Sequence, residues 1–154
     1  MIYFLDASAV VKRYVCEVGS GWVRALADPT DGRRIILAEI TLAEVAAALA
    51  ARKRAPGGIS RRQRDALLTA FLADCLRHFH LRAVSRAVID SAVHLTQHHR
   101  LRGYDAIQLA TALAVNDVLL AAQLPGLTFV AADDDLIEAA HTEGLAVENP
   151  NNHP

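Results

Sequence analysis

The chain alternates short apolar runs with longer segments in which apolar residues recur every three or four positions. Five runs have the length and the composition of buried strands, at 2–5, 34–38, 81–84, 127–131 and 145–147. The intervening segments have the spacing of amphipathic helices, near 9–14, 22–27, 41–53, 61–79, 86–98, 104–122 and 133–141. Strands that alternate with helices predict an α/β fold with a mostly parallel sheet of about five strands.

Composition supports one well-packed domain. The 154 residues are 53% hydrophobic, which is enough for a single core without disulfide or zinc crosslinks. We expect the domain to cover residues 1–149, followed by a frayed polar tail at 150–154. Cys16 and Cys75 lie in apolar patterns and are expected to be buried and reduced. No run of about 18 apolar residues is present, so we expect a cytoplasmic protein without a membrane span.

Four acidic residues stand where predicted strands end or helices begin: Asp6, Glu44, Asp105 and Asp133. Each has a purely structural interpretation. Asp6 and Asp133 can cap the helices that follow them, and Asp105 can offset a helix dipole. Thr41 and Glu44 have the spacing of a capping box, in which Glu44 accepts from the Thr41 amide.

Together the four acids suggest more than helix capping. The carboxyl ends of parallel strands meet at one edge of a sheet, so these acids are expected to lie close together. Carboxylates brought together repel one another and raise each other's pKa unless a cation is present. A hard divalent cation such as Mg²⁺ or Mn²⁺ prefers such an all-oxygen site.

Four segments, in order, resemble the motifs of PIN-domain ribonuclease toxins of the VapC family. The first runs from Leu5 to Tyr14 (LDASAVVKRY), and the second from Ile40 to Val45 (ITLAEV). The third and strongest is LRGYDAIQLATAL, from Leu101 to Leu113. The fourth is FVAAD, which ends at Asp133. The resemblance therefore covers nearly the whole chain.

This resemblance implies a PIN-like three-layer α/β/α sandwich and an Mg²⁺- or Mn²⁺-dependent endoribonuclease of a type II toxin–antitoxin module. It also implies a homodimer that a VapB-type antitoxin holds inactive. The family's four acids map onto Asp6, Glu44, Asp105 and Asp133, and its small hydroxyl residue maps onto Ser8. One departure is Ala131, where the family often has Ser or Thr, and it removes a possible supporting hydrogen bond.

The resulting hypothesis is hydrolysis of RNA phosphodiester bonds by an activated water. Asp6, Glu44 and Asp105 would hold one divalent ion, and Asp133 would bind it through water or help to hold a second. Within the acidic run, Asp133 fits the register best and Asp135 is next. Ser8 would orient a water or a phosphate. The family precedent implies 5′-phosphate and 3′-hydroxyl products.

Basic residues are concentrated around the tip of a predicted helical hairpin, which turns at Pro56-Gly57-Gly58. Although the net charge is only −1, six of them lie here: Arg52, Lys53, Arg54, Arg61, Arg62 and Arg64. We predict that they contact the RNA backbone; a solvated helix end explains them equally well, and a contact with antitoxin acids is a third interpretation. Arg102, next to the third motif, is another candidate for a phosphate contact.

Two other functions share some of these features. A non-catalytic PIN-fold module that binds RNA or protein would keep the fold without the chemistry, but the complete set of four acids argues against it. A phosphoacceptor receiver domain needs a lysine late in the chain, whereas Lys12 and Lys53, both early, are the only lysines. No glycine-rich nucleotide-binding motif occurs.

Overall fold

A computed structural model describes residues 1–153 and contains one five-stranded sheet. The strands are β1 (Ile2–Leu5), β2 (Arg34–Ala38), β3 (Phe79–Arg82), β4 (Thr128–Val130) and β5 (Ala146–Glu148). Their order is β3-β2-β1-β4-β5, and every neighbouring pair is parallel. The predicted α/β class and the number of strands are therefore confirmed, and all carboxyl ends of the strands lie along one edge.

Seven α-helices connect the strands: α1 (Ala7–Val10), α2 (Ser20–Leu26), α3 (Thr41–Arg54), α4 (Arg61–Arg77), α5 (Arg86–His98), α6 (Gly103–Ala121) and α7 (Asp134–Thr142). Short 3-10 helices add Val11–Arg13, Pro29–Asp31 and Pro150–Asn152. In the described residues 1–153, no helix is long and apolar enough to cross a membrane.

The sheet has a hydrophobic core on each face, because successive strand residues point to opposite sides. On β1, Phe4 packs with α5, α6 and α7, and its ring stacks on Phe129 at a centroid distance of 5.7 Å. The next residue, Leu5, packs on the opposite face with α1–α4, around the fully buried Phe71. Helices on both faces of the sheet make the predicted three-layer α/β/α sandwich.

Helices α3 and α4 form the predicted hairpin. Ser60 begins α4 with a capping box, in which its hydroxyl accepts from the Gln63 amide and the Gln63 side chain accepts from the Ser60 amide. The turn is tight at Gly58, where an added Cβ would lie 1.8 Å from the Arg52 carbonyl oxygen. Asp74 anchors α4 by accepting from Arg13 Nε at 3.0 Å and from the Tyr14 hydroxyl at 2.7 Å.

Several sequence predictions about local structure are wrong. The helix expected over 9–14 is the short α1, followed by the 3-10 helix at Val11–Arg13. Helix α4 ends at Arg77 rather than at 79, and β3 begins at Phe79 rather than at 81. The reason is the alternation of buried Phe79 and half-buried Leu81 with exposed His80 and Arg82, a period of two that fits a strand. Cys16 is exposed in a loop after the 3-10 turn, whereas Cys75 is buried as predicted.

The C-terminal segment is not a frayed tail up to residue 153; Pro154 lies outside the described residues. Pro150 begins a 3-10 helix and is buried against Gly19, whose missing side chain leaves room for the Pro150 carbonyl. The His153 ring stacks on Trp22 at 4.4 Å. Buried Asn149 donates to Asp134 at 2.9 Å, so the segment is fastened close to the beginning of α7.

Candidate metal centre

The four predicted acids come from four different elements that meet at the carboxyl edge of the sheet. Asp6 directly follows β1, and Asp133 is the residue before α7, just after β4. Glu44 and Asp105 lie in the first turns of α3 and α6. Electrostatic repulsion links Asp6 to Asp105, Glu44 to both of them, and Asp105 to Asp133. The fold therefore brings together residues that are up to 127 positions apart in sequence.

Asp6 is the most enclosed of the four, with 4% of its surface exposed. Its Oδ2 accepts from the Ser8 amide at 2.9 Å and from the Ser8 hydroxyl at 2.6 Å, so it also caps α1 as predicted. Burial raises the pKa of Asp6, and the charge of Asp105 raises it further, while the Ser8 hydrogen bonds oppose the shift. The site thus holds a buried carboxylate without a cationic partner among residues 1–153.

Glu44 does not form the predicted capping box. Ile40, rather than Thr41, precedes the helix, and it has no side-chain cap. Glu44 Oε2 instead accepts a 2.6 Å hydrogen bond from Gln108 Nε2 on α6. Desolvation raises the pKa of Glu44 to about 7, with a further contribution from the charges of Asp6 and Asp105. The helix start leaves the carboxylate free of a capping role and turned toward the other acids.

Asp105 and Asp133 combine helix capping with membership of the cluster. Asp105 Oδ2 accepts from the Arg102 amide at 3.2 Å, and Asp133 Oδ1 accepts from the Leu136 amide at 3.0 Å. Burial raises the pKa of Asp105, the Arg102 amide opposes that shift, and the Asp133 charge adds to it. The capping interpretation is therefore confirmed for Asp133, and at Asp105 a cap contact coexists with repulsion from its neighbours.

The four carboxylates share one geometric property. In each, the hydrogen bonds found within residues 1–153 fall on a single oxygen: Asp6 Oδ2, Glu44 Oε2, Asp105 Oδ2 and Asp133 Oδ1. The second oxygen of each is left without such a bond. The protein therefore fixes the orientation of every acid and leaves one oxygen of each available to a ligand.

This donor set fits Mg²⁺ or Mn²⁺, which bind carboxylate oxygens. Mg²⁺ is usually held by only a few carboxylates, and waters or substrate phosphates complete its coordination. Among residues 1–153, no three His, Cys, Asp or Glu side chains are already gathered as closely as a formed metal site requires. Like charges keep carboxylates apart. Burial is the main cause of the raised pKa values of Asp6, Glu44 and Asp105, and repulsion among the acids adds to it; a bound divalent cation would favour the charged form of all three.

A polar cleft of about 370 Å³ opens beside the acids. Asp105, Asp133 and Asp135 line one part of it, and Arg100 and Arg102 line another. Arg100 is almost fully exposed and only loosely paired with Asp135, at 3.9 Å. A cleft with carboxylates and guanidinium groups on its walls can hold an anionic ligand next to a cation. Arg102 is therefore placed where the sequence analysis expected a phosphate contact.

Ser8 lies within the site, but its hydroxyl is already engaged. It donates to Asp6 Oδ2 and accepts from the Ala132 amide at 2.9 Å. It therefore links the end of β1 to the loop that carries Asp133. Asn151 holds the same loop from the other side, by donating to the Ala132 carbonyl at 3.3 Å. The predicted orientation of a water or phosphate by Ser8 stays a prediction, since its single proton points to Asp6.

The structure does not bring the basic residues of the hairpin to the cleft, because none of them lines it. Arg52 is paired with Glu17, which also binds Lys12. Arg61 and Arg64 both pair with Asp65 on their own helix. Lys53, Arg54 and Arg62 are exposed, and none of the ion pairs within residues 1–153 includes them.

Two buried polar residues near the site carried no functional prediction: Gln108, which binds Glu44, and Asn149, which binds Asp134 next to Asp133. Gln108 lies three positions after Asp105, on the face of α6 that is otherwise Ala, Leu and Thr. A polar residue at core spacing was the available signal, because a buried amide must find partners. Asn149 gave no such signal, since it stands in what reads as a polar terminus.

Comparison with known proteins identifies the family, although no protein-family model matches the chain. Ribonuclease VapC45 of Mycobacterium tuberculosis strain CDC 1551 / Oshkosh is 37% identical over 154 residues, covering 96% of this chain and 94% of the relative. Ribonuclease VapC49 of strain ATCC 25618 / H37Rv matches with the same identity and coverage.

Solved structures share the fold at lower identity. FitAB bound to an IR36 DNA fragment has a TM-score of 0.63 at 19% identity, covering 97% of this chain and 95% of that one. VapBC2 from Rickettsia felis, bound to a promoter DNA fragment, has a TM-score of 0.63 at 18% identity, with 97% and 98% covered. The sarcin–ricin loop cleaving toxin VapC20 of M. tuberculosis has a TM-score of 0.61 at 15% identity, with 99% of each chain covered.

The full-length similarity to two VapC ribonucleases agrees with the parallel five-stranded sheet and with the acids at its carboxyl edge. This chain belongs to the VapC ribonuclease family.

Proposed function

We propose that this protein is the toxin of a toxin–antitoxin module, an endoribonuclease that hydrolyses RNA with the help of Mg²⁺ or Mn²⁺. The observation that supports the proposal most directly is the cluster of four carboxylates, each with one oxygen fixed by the protein and one left free. The relatives at 37% identity are named ribonucleases, and the VapBC2 and VapC20 structures belong to the same class.

In this proposal, Asp6, Glu44 and Asp105 hold the ion, and Asp133 stands at the open side of the site. When bound, the ion supplies Lewis-acid stabilisation of phosphoryl charge and lowers the pKa of water. Ser8 keeps Asp6 in its orientation and ties it to the loop of Asp133. His99 lines the cleft beside Asp105 and Asp133, but its Nε2 is paired with Glu143 at 2.6 Å. In residues 1–153 no histidine is hydrogen-bonded to any of the four acids, so we assign proton acceptance to the carboxylates.

Binding of the RNA backbone is assigned to two groups of residues. Arg100 and Arg102 stand in the cleft and can contact the phosphate that is cleaved. Lys53, Arg54 and Arg62, at the hairpin tip, can contact phosphates further along the strand. Arg52, Arg61 and Arg64 are less available, because each already has a carboxylate partner.

A VapB-type antitoxin is the proposed partner, and a homodimer is the proposed assembly. The VapBC2 and FitAB structures are two-component assemblies bound to DNA, which supports a partner of this kind for the present chain. By analogy, the antitoxin would cover the acid cleft and keep the enzyme inactive until it is removed.

The proposal is tested with the purified chain, freed of antitoxin, and total cellular RNA. We expect discrete fragments with Mg²⁺ or Mn²⁺ and none with EDTA. Circular dichroism confirms that the protein is folded in each condition. Failure of the folded protein to cleave any RNA with either ion would contradict the proposal and favour a non-catalytic binding module.

A further inference from the structure

Gln108 joins two of the helices that carry the acids through hydrogen bonds of its side chain. It lies on α6, one turn after Asp105, and none of its surface is exposed. Its Nε2 donates to Glu44 Oε2 at 2.6 Å and to Thr41 Oγ1 at 2.9 Å. Both acceptors belong to the first turn of α3. The position of Glu44 therefore depends directly on one amide of the opposite helix.

The orientation of this amide leaves one of its atoms unsatisfied. Gln108 Oε1 is the only buried side-chain oxygen or nitrogen in residues 1–153 that has no hydrogen-bond partner. A buried polar atom without a partner is unfavourable, and in native proteins it usually accompanies a specific role. Rotating the amide by half a turn would place Oε1 against the Glu44 carboxylate, which repels it. The contact with Glu44 thus fixes the orientation of the amide and leaves Oε1 without a hydrogen-bond partner.

The hydrogen bond from Gln108 influences which oxygen Glu44 presents to a cation. Gln108 engages one lone pair of Oε2, whereas Oε1 has no hydrogen bond, so coordination through Oε1 alone is favoured over coordination through both oxygens. Ca²⁺ takes six to eight oxygens and often binds both oxygens of a carboxylate, whereas Mg²⁺ demands a compact octahedron. A carboxylate restricted to one oxygen therefore suits the smaller ion.

We propose that Gln108 is a positioning residue that restricts Glu44 to one-oxygen coordination and thereby favours Mg²⁺ or Mn²⁺ over Ca²⁺. The inference rests on the proposed metal centre and adds to it the residue that sets ion selectivity. Gln108 contacts neither the ion nor the RNA. It acts only through Glu44, and Thr41 keeps the amide in place.

The test is isothermal titration calorimetry of the full chain with Mg²⁺ and, separately, with Ca²⁺. Gln108→Met keeps the length of the side chain and removes both hydrogen bonds. Gln108→Asn keeps the amide but is too short to reach Glu44, so it serves if the first variant does not fold. The matched control is Gln97→Met, which makes the same chemical change on the exposed face of α5. Thermal melting shows which variants are folded.

We expect Gln108→Met to lower Mg²⁺ affinity by about 10–100-fold, the usual effect of removing a residue that supports a metal ligand. Ca²⁺ affinity should fall less, because Glu44 becomes free to offer both oxygens. A general loosening of the site would instead lower the affinities for Mg²⁺ and Ca²⁺ by the same factor, and that result would overturn the proposal. Unchanged Mg²⁺ selectivity in the folded variant also overturns it.

The outcome separates this inference from the proposed function. If the unaltered protein binds neither ion, the metal centre itself is contradicted. If it binds Mg²⁺ selectively and Gln108→Met binds it just as selectively, only the role of Gln108 is contradicted. RNA cleavage by the unaltered protein, measured in parallel, reports on the enzyme independently of Gln108.

Discussion

The acid cluster and the basic hairpin tip are the two most charged regions of the molecule, and they handle charge in opposite ways. Asp6, Glu44 and Asp105 are partly or fully removed from water and have raised pKa values, and none of the ion pairs within residues 1–153 includes them. The hairpin arginines are mostly exposed, and several pair with nearby acids. Buried, unpaired charge destabilises a folded protein unless a bound ligand compensates it, whereas charge exposed to water has little effect on stability. The comparison therefore supports the proposal that the chemistry takes place at the acids and that the hairpin has an auxiliary role.

The largest expected effect comes from removing one acid of the cluster. Asp105→Asn keeps the size of the side chain but removes a charge that a cation needs. Loss of several kcal/mol of transition-state stabilisation corresponds to a fall in RNA cleavage of about a thousandfold or more. Asp117→Asn is the control, since Asp117 is an exposed acid on the same helix. Near-normal cleavage by folded Asp105→Asn would show that the cluster is not the site of chemistry.

The second prediction separates the hairpin from the acid site by distorting its turn. In Gly58→Ala the new Cβ meets the carbonyl oxygen of Arg52, and the backbone has to shift. We expect the free energy of unfolding to fall by about 1–3 kcal/mol, as in other overpacked sites. Mg²⁺ affinity of the folded protein should remain unchanged.

Chemical denaturation and calorimetry measure the two quantities for Gly58→Ala. Gly21→Ala is the matched control, because Gly21 is an exposed helical residue with open space around its Cα. That change should be neutral or slightly stabilising. If Gly58→Ala abolished metal binding while the protein stayed folded, the two regions would not be independent.

The third prediction concerns the unpaired charges of the hairpin tip. Replacing Lys53, Arg54 and Arg62 together by Gln should weaken binding of single-stranded RNA and lower the salt dependence of its logarithmic affinity by about 2. Affinity is measured by fluorescence anisotropy across salt concentrations, with Asp105→Asn in the background to prevent cleavage. The same change at Arg34, Arg77 and Arg82, which are exposed elsewhere, is the control. Equal losses in both sets would deny the hairpin a specific role.

The smallest expected effect is on the pH dependence of stability without metal. The pKa of Glu44 rises from an ordinary value of 4.5 to about 7 on folding. The folded state then holds this proton more tightly than the unfolded state. The contribution of Glu44 to the free energy of unfolding is therefore greatest below about pH 4.5 and declines until about pH 7. Glu44→Gln should remove part of that decline, on the order of a few °C in Tm.

Thermal melting between pH 4.5 and 7.5 in EDTA measures this difference. The comparison of the two proteins at each pH cancels the effects of carboxylates outside the acid cluster. Parallel melting curves for Glu44→Gln and the unaltered protein across this range would contradict the assigned pKa shift. Addition of Mg²⁺ should reduce the decline in the unaltered protein, because the ion compensates the charge.

Much of the fold followed from the sequence because its elements are strongly periodic. Helix α5 and strand β1 occupy the residues that the pattern predicted, and the acids lie together because parallel strands end at one edge. Boundaries failed where two periodicities overlap, as at Phe79. The C-terminal segment failed for another reason. Its contacts are with Gly19 and Trp22, about 130 residues away, and local composition carries no information about them.

The site was only partly predictable. The identity of the acids follows from their positions at helix starts, but the atom that each one presents does not. The spacing of Thr41 and Glu44 predicted a capping box. In the structure, Glu44 Oε2 instead accepts a hydrogen bond from Gln108 on α6. A tertiary contact replaces the local one here, because the fully buried Gln108 amide must find acceptors and takes them from Glu44 and Thr41 in the first turn of α3.

The central claim is that Asp6, Glu44 and Asp105 hold one divalent ion. Crystals of the protein grown with Mn²⁺ and measured at the manganese absorption edge test it directly. The account predicts an anomalous peak about 2.0–2.2 Å from one oxygen of each of these three carboxylates, with Asp133 nearby. An ordered crystal without a peak at these acids, or with its peak at another site, would contradict it.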